Sequence, residues 1–254
     1  MKGVVKIKGI TIGEGIPKVC VPIVGRTKEE LLRMAEEVKK SSPDLVEWRA
    51  DWLENANGIE QVLELASCLR NYLGEVPLLF TFRTKQEGGE REITKEAYCK
   101  LNQAVAASGL VDLVDVEFSL GGEVFDEIKT AARKAGVYLV ASNHEFHKTP
   151  KKEEIIRRLC KMQDMGADIL KIAVMPTSKR DVLELLLATE EMVRVHAERP
   201  VVTMSMAGMG AISRVSGEFF GSAITFGAVG KASAPGQLEA DKLQMILQAL
   251  HESL

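Results

Sequence analysis

The chain has 254 residues, of which 46% are hydrophobic and 27% charged, the balance of an ordinary globular protein with a full core. Its formal net charge of −3, with acidic and basic residues interspersed, gives no reason to expect a nucleic acid or an anionic membrane as a partner. No apolar run is long enough to cross a bilayer, and residues 1–10 lack the apolar centre of a signal peptide. Four scattered cysteines without a CxxC pair indicate core thiols in a reducing cytosol, so we predict a cytoplasmic protein.

The first predicted element is a β-hairpin, because residues 4–12 alternate apolar and polar side chains and turn near Gly9. Eight short apolar runs then follow along the chain, each typical of a strand that is buried on both faces. These predicted strands are residues 19–24, 45–49, 78–82, 113–117, 137–142, 169–174, 201–206 and 223–226.

Longer amphipathic segments separate these runs and predict helices. Thr27 precedes two acidic residues, as an N-cap does, and Thr94 and Thr149 are similar candidate helix starts. Gly136 follows a helical segment in the manner of a C-cap. The helical region after the seventh run, residues 208–221, is short and rich in glycine.

Eight strands that alternate with eight helices favour a parallel sheet with right-handed crossovers. In a chain of this length the usual closed form is the (β/α)8 TIM barrel. The main alternative is an open doubly wound sheet, but residues 24–27 read Val-Gly-Arg-Thr and lack the expected GxGxxG turn. We therefore predict one α/β catalytic domain over residues 1–254, a (β/α)8 TIM barrel whose bottom is closed by the N-terminal β-hairpin.

Charged and polar residues stand at or near the ends of the predicted strands: Glu47, Arg49, Arg83, Glu117, His144, Lys171 and Arg214. The carboxyl ends of barrel strands carry the catalytic groups of barrel enzymes. Buried charges are costly unless they are paired or used, so stability alone explains this arrangement poorly. The three arginines suggest an anionic substrate, because a guanidinium fits a carboxylate or a phosphate.

Lys171 lies inside the sixth run, where both faces of a barrel strand are covered. Burial and nearby arginine charge favour a neutral amine, which can attack a ketone. The alternative is a strand-edge lysine that reaches solvent. His144 ends the preceding run and is a candidate general acid and base, although a histidine of this kind can also be a satisfied core residue. His147 lies near it without a third ligand, so we predict no metal site.

Several motifs together resemble the type I 3-dehydroquinate dehydratase family. The similarity runs from about residue 17 to the end of the chain and is specific because the motifs occur in order. They are residues 47–51 (EWRAD), 81–83 (TFR) with 87–89 (EGG), 115–118 (DVEF), 139–144 (LVASNH) with 146–150 (FHKTP), 171–176 (KIAVMP), 205–206 (SM), 212–214 (ISR), 221–223 (GSA), 225–228 (TFGA) and 232–237 (ASAPGQ).

The resemblance implies a hydro-lyase that converts 3-dehydroquinate to 3-dehydroshikimate, the third step of the shikimate pathway to aromatic amino acids. It implies Lys171 as the Schiff-base lysine, His144 as the proton shuttle and Glu87 as an auxiliary acid or base. It implies that Glu47, Arg49 and Arg83 bind the substrate hydroxyls. It also implies that Arg214 binds the carboxylate, assisted by Ser233 and Gln237 on a closing loop. No metal or organic cofactor is implied, and a homodimer is usual.

Two positions depart from the family pattern. Pro22 stands where a serine often makes a minor substrate contact, and Glu145 stands where an aspartate commonly follows the catalytic histidine. Two other functions stay open from the sequence. One is a Schiff-base aldolase on the same barrel, which would usually need a phosphate cup. The other is a catalytically idle barrel that binds a small acid as a sensor or scaffold.

Overall fold

The computed structural model describes residues 3–54, 56, 58–230 and 236–254. Its strands are β1 (Val5–Ile7), β2 (Ile10–Ile12), β3 (Lys18–Ile23), β4 (Leu45–Arg49), β5 (Leu78–Thr81), β6 (Leu113–Glu117), β7 (Tyr138–Glu145), β8 (Ile169–Val174), β9 (Val201–Ser205), β10 (Ile224–Ala228) and β11 (Leu238–Glu239). Its α-helices are α1 (Lys28–Lys40), α2 (Ile59–Leu73), α3 (Lys95–Ala107), α4 (Gly122–Ala135), α5 (Lys152–Asp164), α6 (Lys179–Glu191), α7 (Ala211–Val215), α8 (Gly217–Phe220) and α9 (Ala240–His251).

Eight parallel strands form a curled sheet in the order β10, β3, β4, β5, β6, β7, β8 and β9, and β11 pairs beside β10. The two ends of this order meet where Ser222 and Val201 form an isolated parallel bridge. The Ala223 amide closes the same seam by donating to the Val201 carbonyl at 2.8 Å. Helices cover the outside of the sheet, so the predicted (β/α)8 barrel is confirmed.

The predicted strand bounds agree with the structure to within one or two residues, except at β7. That strand runs to Glu145, three residues beyond its predicted end, because residues 143–145 pair with Ile172–Val174 of β8. The extension matters for function, since it holds His144 within a regular strand and beside Ala173 of its neighbour.

Two of the three predicted helix starts are confirmed. The hydroxyl oxygens of Thr27 and Thr94 accept hydrogen bonds from backbone amides three residues on, as N-caps do. Gly136 ends α4 in the left-handed conformation of a C-cap glycine. The prediction for Thr149 is wrong, because α5 begins only at Lys152 and the Thr149 hydroxyl instead donates to the Met175 carbonyl at 3.0 Å.

Strand residues alternate between two apolar layers. Side chains that point outward pack against the helices in the larger core, and those that point inward fill the lower barrel. The inner layer contains Leu45, Leu79 and Leu113, and the hairpin residues Val5 and Ile12 pack against it. Burying each such side chain stabilises the fold by roughly 1.5–3 kcal/mol. The hairpin therefore closes the barrel bottom, as predicted.

Among the described residues, no helix is both long enough and apolar enough to pass through a lipid bilayer. All four cysteines lie in the described part of the chain, and all are free thiols. Cys20 and Cys99 are buried, and burial raises the pKa of both thiols. These two are core residues, as the sequence predicted.

Candidate active site

A charged layer lies directly above the apolar layer inside the barrel. Glu47, Asp115 and Lys171 each follow an inward-facing apolar residue by two positions, so the period of a strand turns them to the same side. Glu47 and Lys171 line a pocket of about 600 Å³, including its mouth, at the carboxyl ends of the strands. The pocket is lined by Glu47, Arg49, Arg83, Glu87, Gly88, His144, Phe146, Lys171, Ala173, Met204, Met206, Arg214, Phe226 and Gln237.

Lys171 lies at the floor of this pocket and is only 4% exposed. Its Nζ lies 3.8 Å from Glu47 Oε1 and 3.9 Å from Asp115 Oδ2, and 4.4 Å from the centre of the Phe226 ring. The sequence suggested arginines as its charged neighbours, whereas its ion-pair partners are carboxylates. This placement excludes a lysine that reaches solvent at a strand edge.

His144 and Glu87 form a second unit on the wall of the pocket. Glu87 Oε2 accepts the backbone N–H of His144 at 3.0 Å and lies 3.0 Å from the imidazole Nδ1. Its other oxygen, Oε1, accepts from Ser119 Oγ at 2.6 Å and from Asn143 Nδ2 at 3.2 Å. The Glu87 carboxyl thus accepts three hydrogen bonds and acts as an acceptor toward Nδ1 as well. We therefore assign the imidazole proton to Nδ1, which leaves Nε2 as the basic atom.

Burial sets the protonation of this pair. Burial lowers the pKa of His144 well below 6.5, and the positive charges of Arg83 and Lys171 lower it further. Burial also raises the pKa of Glu87, although the Arg83 charge opposes the shift. The imidazole is therefore neutral near pH 7 and able to accept a proton.

A tight turn brings Glu87 to the histidine. Gly88 has a φ of +82°, in the left-handed region, and a Cβ there would lie 2.3 Å from the Phe146 ring. Phe146 in turn stacks against the His144 ring, with centroids 6.5 Å apart. Only glycine satisfies both the backbone angle and the ring contact, which gives the Glu-Gly-Gly motif a physical reason.

Arg83 occupies the centre of a buried polar network. Its Nη2 donates to Asp115 Oδ1 at 2.8 Å, and its Nη1 donates to Glu117 Oε1 and to Ser142 Oγ, each at 3.0 Å. Burial opposes its charge, but Asp115 and Glu117 outweigh that effect and raise the pKa of the guanidinium. Arg83 therefore lines the pocket while its guanidinium is paired with these two carboxylates. Its hydrogen bond to Asp115 also fixes the position of that carboxylate.

The other two arginines differ in their surroundings. Arg49 forms a bidentate pair with Asp51, at 2.8 and 2.9 Å, which orients its guanidinium at the pocket wall. Arg214 is 2% exposed, and burial lowers its pKa to about 10. It stays cationic at neutral pH, so it brings a largely desolvated positive charge to the pocket, suited to a substrate anion.

The segment after β10 brings a further polar residue to the pocket. Gln237 lines it, and Gly236 packs so closely on Ala207 that a Cβ would lie 2.4 Å from the Ala207 backbone. Gly236 also has a φ of +75°, so this close approach needs glycine. Ser233, predicted to act with Gln237, lies outside the described residues.

The structure thus brings eight of the nine predicted site residues to one pocket. It also adds Asp115, which the sequence placed only within a family motif. Its signal was an acid in the middle of a buried strand, the same signal that singled out Lys171. Burial acts to raise the pKa of Asp115, but the charges of Arg83 and Lys171, together with the hydrogen bond from Ser142, outweigh it and lower that pKa. Its Oδ2 has no hydrogen-bond partner and is the oxygen nearer to Lys171.

Metal binding needs three or more suitable side chains close together. Within residues 3–54, 56, 58–230 and 236–254, no group of three or more His, Cys, Asp or Glu residues is arranged to hold a metal ion.

A buried lysine, a neutral histidine and clustered arginines at the mouth of a (β/α)8 barrel define a barrel enzyme site for a small anionic substrate. Comparisons with known proteins agree with this class. The family model for type I 3-dehydroquinase matches residues 19–254. The 3-dehydroquinate dehydratase of Clostridioides difficile is 52% identical over the full length of both chains.

Solved structures give the same result. The crystal structure of the type I enzyme from Clostridium difficile, with covalently modified comenic acid, has a TM-score of 0.98 at 52% identity and full coverage of both chains. The 3-dehydroquinate dehydratase of Geobacillus kaustophilus has a TM-score of 0.95 at 42% identity, covering 98% of this chain and 97% of that one. The chain therefore belongs to the type I 3-dehydroquinase family. It is a hydro-lyase, and the membership supports 3-dehydroquinate dehydratase activity in the shikimate pathway.

Proposed function

We propose that the whole chain forms one catalytic domain that dehydrates 3-dehydroquinate to 3-dehydroshikimate through a Schiff base on Lys171. The observation that carries this proposal is the burial of the Lys171 amine at the floor of a pocket that also contains His144 and Arg214. Purified protein given 3-dehydroquinate should form 3-dehydroshikimate. The conjugated enone of this product absorbs ultraviolet light, so its absorbance measures the reaction. Complete inactivity on this substrate in a folded sample would refute the proposal.

The first step is attack of the Lys171 nitrogen on the substrate ketone. The new C–N bond gives a carbinolamine, which loses the former ketone oxygen as water and becomes a cationic iminium. The amine needs a free electron pair to attack, and Glu47, 3.8 Å away, is close enough to take up its proton, which then leaves in the water lost from the carbinolamine. After the iminium forms, Glu47 and Asp115 stabilise its positive charge.

The second step moves protons through His144. The iminium withdraws electrons, so the neighbouring C–H becomes acidic and the neutral imidazole removes its proton to give an enamine. The enamine then expels the β-hydroxyl, which leaves as water with the proton carried by His144. Water finally hydrolyses the iminium and frees Lys171, so the net reaction releases one water molecule.

The arginines and the remaining polar residues bind and orient the substrate in this proposal. Arg214 binds the carboxylate, and Gln237 assists it together with Ser233 on the loop after the last barrel strand. The substrate hydroxyls are bound by Glu47, Arg49 and Arg83. Because Arg83 is already held by Asp115 and Glu117, its substrate contact uses a guanidinium whose position is fixed before binding.

The pH dependence of kcat/KM tests the protonation of His144. A base must be neutral, and the His144 pKa is lowered, so activity is lost only as the pH falls through that lowered value. We expect kcat/KM to stay constant from neutral pH down past 6.5, with its acidic limb below the ordinary histidine range. A limb centred at or above 6.5 would contradict the assignment of His144 as this base.

Replacing Glu87 with glutamine tests whether Glu87 positions the histidine. The amide keeps the size of the side chain, but it has one acceptor oxygen instead of two for its several donors. We expect kcat to fall with little change in KM, by less than the roughly 10²–10⁴-fold that a general acid–base group contributes. Steady-state kinetics beside Glu92→Gln, an exposed glutamate of the same loop, is the measurement. Equal kinetics of the two variants would remove this role.

A further inference from the structure

A chain of hydrogen bonds leads from Glu87 to a charged side chain on the outside of the barrel. Asn143 Nδ2 donates to Glu87 Oε1 at 3.2 Å, and Asn143 Oδ1 accepts from Arg158 Nη1 at 2.8 Å. Arg158 lies on α5, and its side chain is 20% exposed. Among the described residues that line the pocket, neither Asn143 nor Arg158 occurs, so an effect of either on the reaction must pass through other side chains.

The strand period explains why Asn143 connects these two regions. Its neighbours Ser142 and His144 turn into the barrel, so the alternation along β7 points Asn143 the other way, toward the layer of helices. Its amide lies between the loop that carries Glu87 and the helix that carries Arg158. Asn143 is only 9% exposed, so both ends of the amide need partners within the protein.

The orientation of the Asn143 amide follows from its two neighbours. A guanidinium has only donors, so the amide oxygen must face Arg158. A carboxylate accepts hydrogen bonds, so the amide nitrogen faces Glu87. With the amide turned the other way, donors would face donors and acceptors would face acceptors, and neither hydrogen bond would form. Arg158 therefore selects the orientation in which Asn143 donates to Glu87.

The hydrogen bond from Asn143 favours the charged form of Glu87. Burial raises the pKa of this carboxyl, whereas the Arg83 charge and the hydrogen bonds from Ser119 and Asn143 oppose that rise. The ionised carboxylate is the form that accepts the Nδ1 proton of His144 and leaves Nε2 free for the reaction. A group that fixes the Asn143 amide therefore also supports the histidine.

Arg158 is itself held in place by Glu154, one turn earlier on α5. Its Nε donates to Glu154 Oε1 at 2.7 Å, while its Nη1 serves Asn143, a division that suits the rigid fork of a guanidinium. Hydrogen bonds from Arg157 and Arg158 lower the pKa of Glu154 to about 2, so this carboxylate is charged at neutral pH. Arg157 binds the same carboxylate at 2.7 and 2.8 Å, but its side chain is 62% exposed and points to solvent.

We propose that Arg158 is a positioning residue for the dehydration, which fixes the Asn143 amide so that it donates to Glu87 and thereby orients His144. This inference rests on the proposed function, because it needs His144 to transfer protons during the reaction. It extends the working site beyond the pocket to the helix layer, through two side chains that have no contact with substrate.

Replacing Arg158 with methionine tests this role. The change keeps an unbranched side chain but removes both hydrogen bonds, so the Asn143 amide is free to turn. We expect kcat to fall at least about fivefold, part of what a hydrogen bond to a charged group contributes. KM should stay within about twofold of wild type, because the substrate contacts are untouched. Arg157→Met, which loses a pair with the same Glu154, is the matched control and should keep wild-type kinetics.

A double-variant cycle shows whether Arg158 acts through Asn143. Asn143→Ala should lower kcat by itself, and adding Arg158→Met should lower it by less than about a further twofold, because the connecting amide is already absent. Circular dichroism checks that each variant folds. Losses in kcat that multiply in the double variant would overturn the proposal, as would an unchanged kcat in Arg158→Met or an equal loss in Arg157→Met.

The Glu87→Gln variant, assayed in parallel, separates this inference from the proposed function. An inactive wild type, or a Glu87→Gln variant with normal kcat, would refute the chemistry at the pocket and the Arg158 role with it. A wild type that needs Glu87 but tolerates Arg158→Met would refute the role of Arg158 alone.

Discussion

Replacing Lys171 with alanine is expected to lower kcat/KM for 3-dehydroquinate by at least about 10⁴-fold. The amine supplies the covalent bond that turns the ketone into an iminium, and the pocket contains no second lysine that could replace it among its described lining residues. Steady-state assay of product absorbance measures the loss. Lys171→Met is a companion variant, because it fills the same volume without an amine and should be equally inactive.

Folding must be separated from chemistry in this experiment. Lys171 pairs with Glu47 and Asp115, so its removal takes a cation away from two buried carboxylates, of which Asp115 keeps its pair with Arg83, and some loss of stability is expected. Circular dichroism and thermal unfolding show whether each variant still folds. Lys242→Ala, on the exposed surface of α9, is the matched control and should keep wild-type activity. A folded Lys171 variant that retains substantial turnover would contradict the proposed mechanism.

Replacing His144 with alanine is expected to lower kcat by roughly 10²–10⁴-fold, the usual contribution of a general acid–base group. The variant keeps Lys171, so it should still form some iminium with the substrate while eliminating water far more slowly. Mass spectrometry of the variant mixed with substrate should therefore find a covalent adduct.

Two outcomes would count against this role for His144. Near-normal turnover in the alanine variant would move the base elsewhere, most directly to Glu87, which lies 3.0 Å from the imidazole. Failure to form any adduct in a folded variant would instead give His144 a part in forming the iminium. His147→Ala is a suitable control, because His147 is exposed and does not line the pocket.

The barrel could be predicted from the sequence because its strands are buried on both faces. Continuous apolar runs therefore appear at regular intervals, and three of them, β4, β6 and β8, have the predicted bounds. The same burial made Lys171 visible, since a charge inside such a run has few structural explanations.

The pairing of polar groups could not be predicted in the same way. Glu87 lies on a loop, and its role beside His144 came only from the family resemblance, because the Gly88 turn and the Phe146 ring that place it are features of three dimensions. Arg83 was expected to bind substrate, yet its pairing with Asp115 and Glu117 exists only when the end of β5 lies beside β6. Threonine predicted the helix start correctly where its hydroxyl accepts a hydrogen bond from the helix that follows it. The prediction failed at Thr149, whose hydroxyl instead donates to the Met175 carbonyl on another loop.

Reduction with borohydride during turnover tests the central claim most directly. The reagent converts an iminium to a stable amine, so the protein should gain the mass of the reduced substrate adduct, and peptide mapping should place it on Lys171. The Lys171→Met variant should gain no mass under the same conditions. No adduct on a protein that is turning over 3-dehydroquinate, or an adduct on a different lysine, would contradict the proposed Schiff base on Lys171.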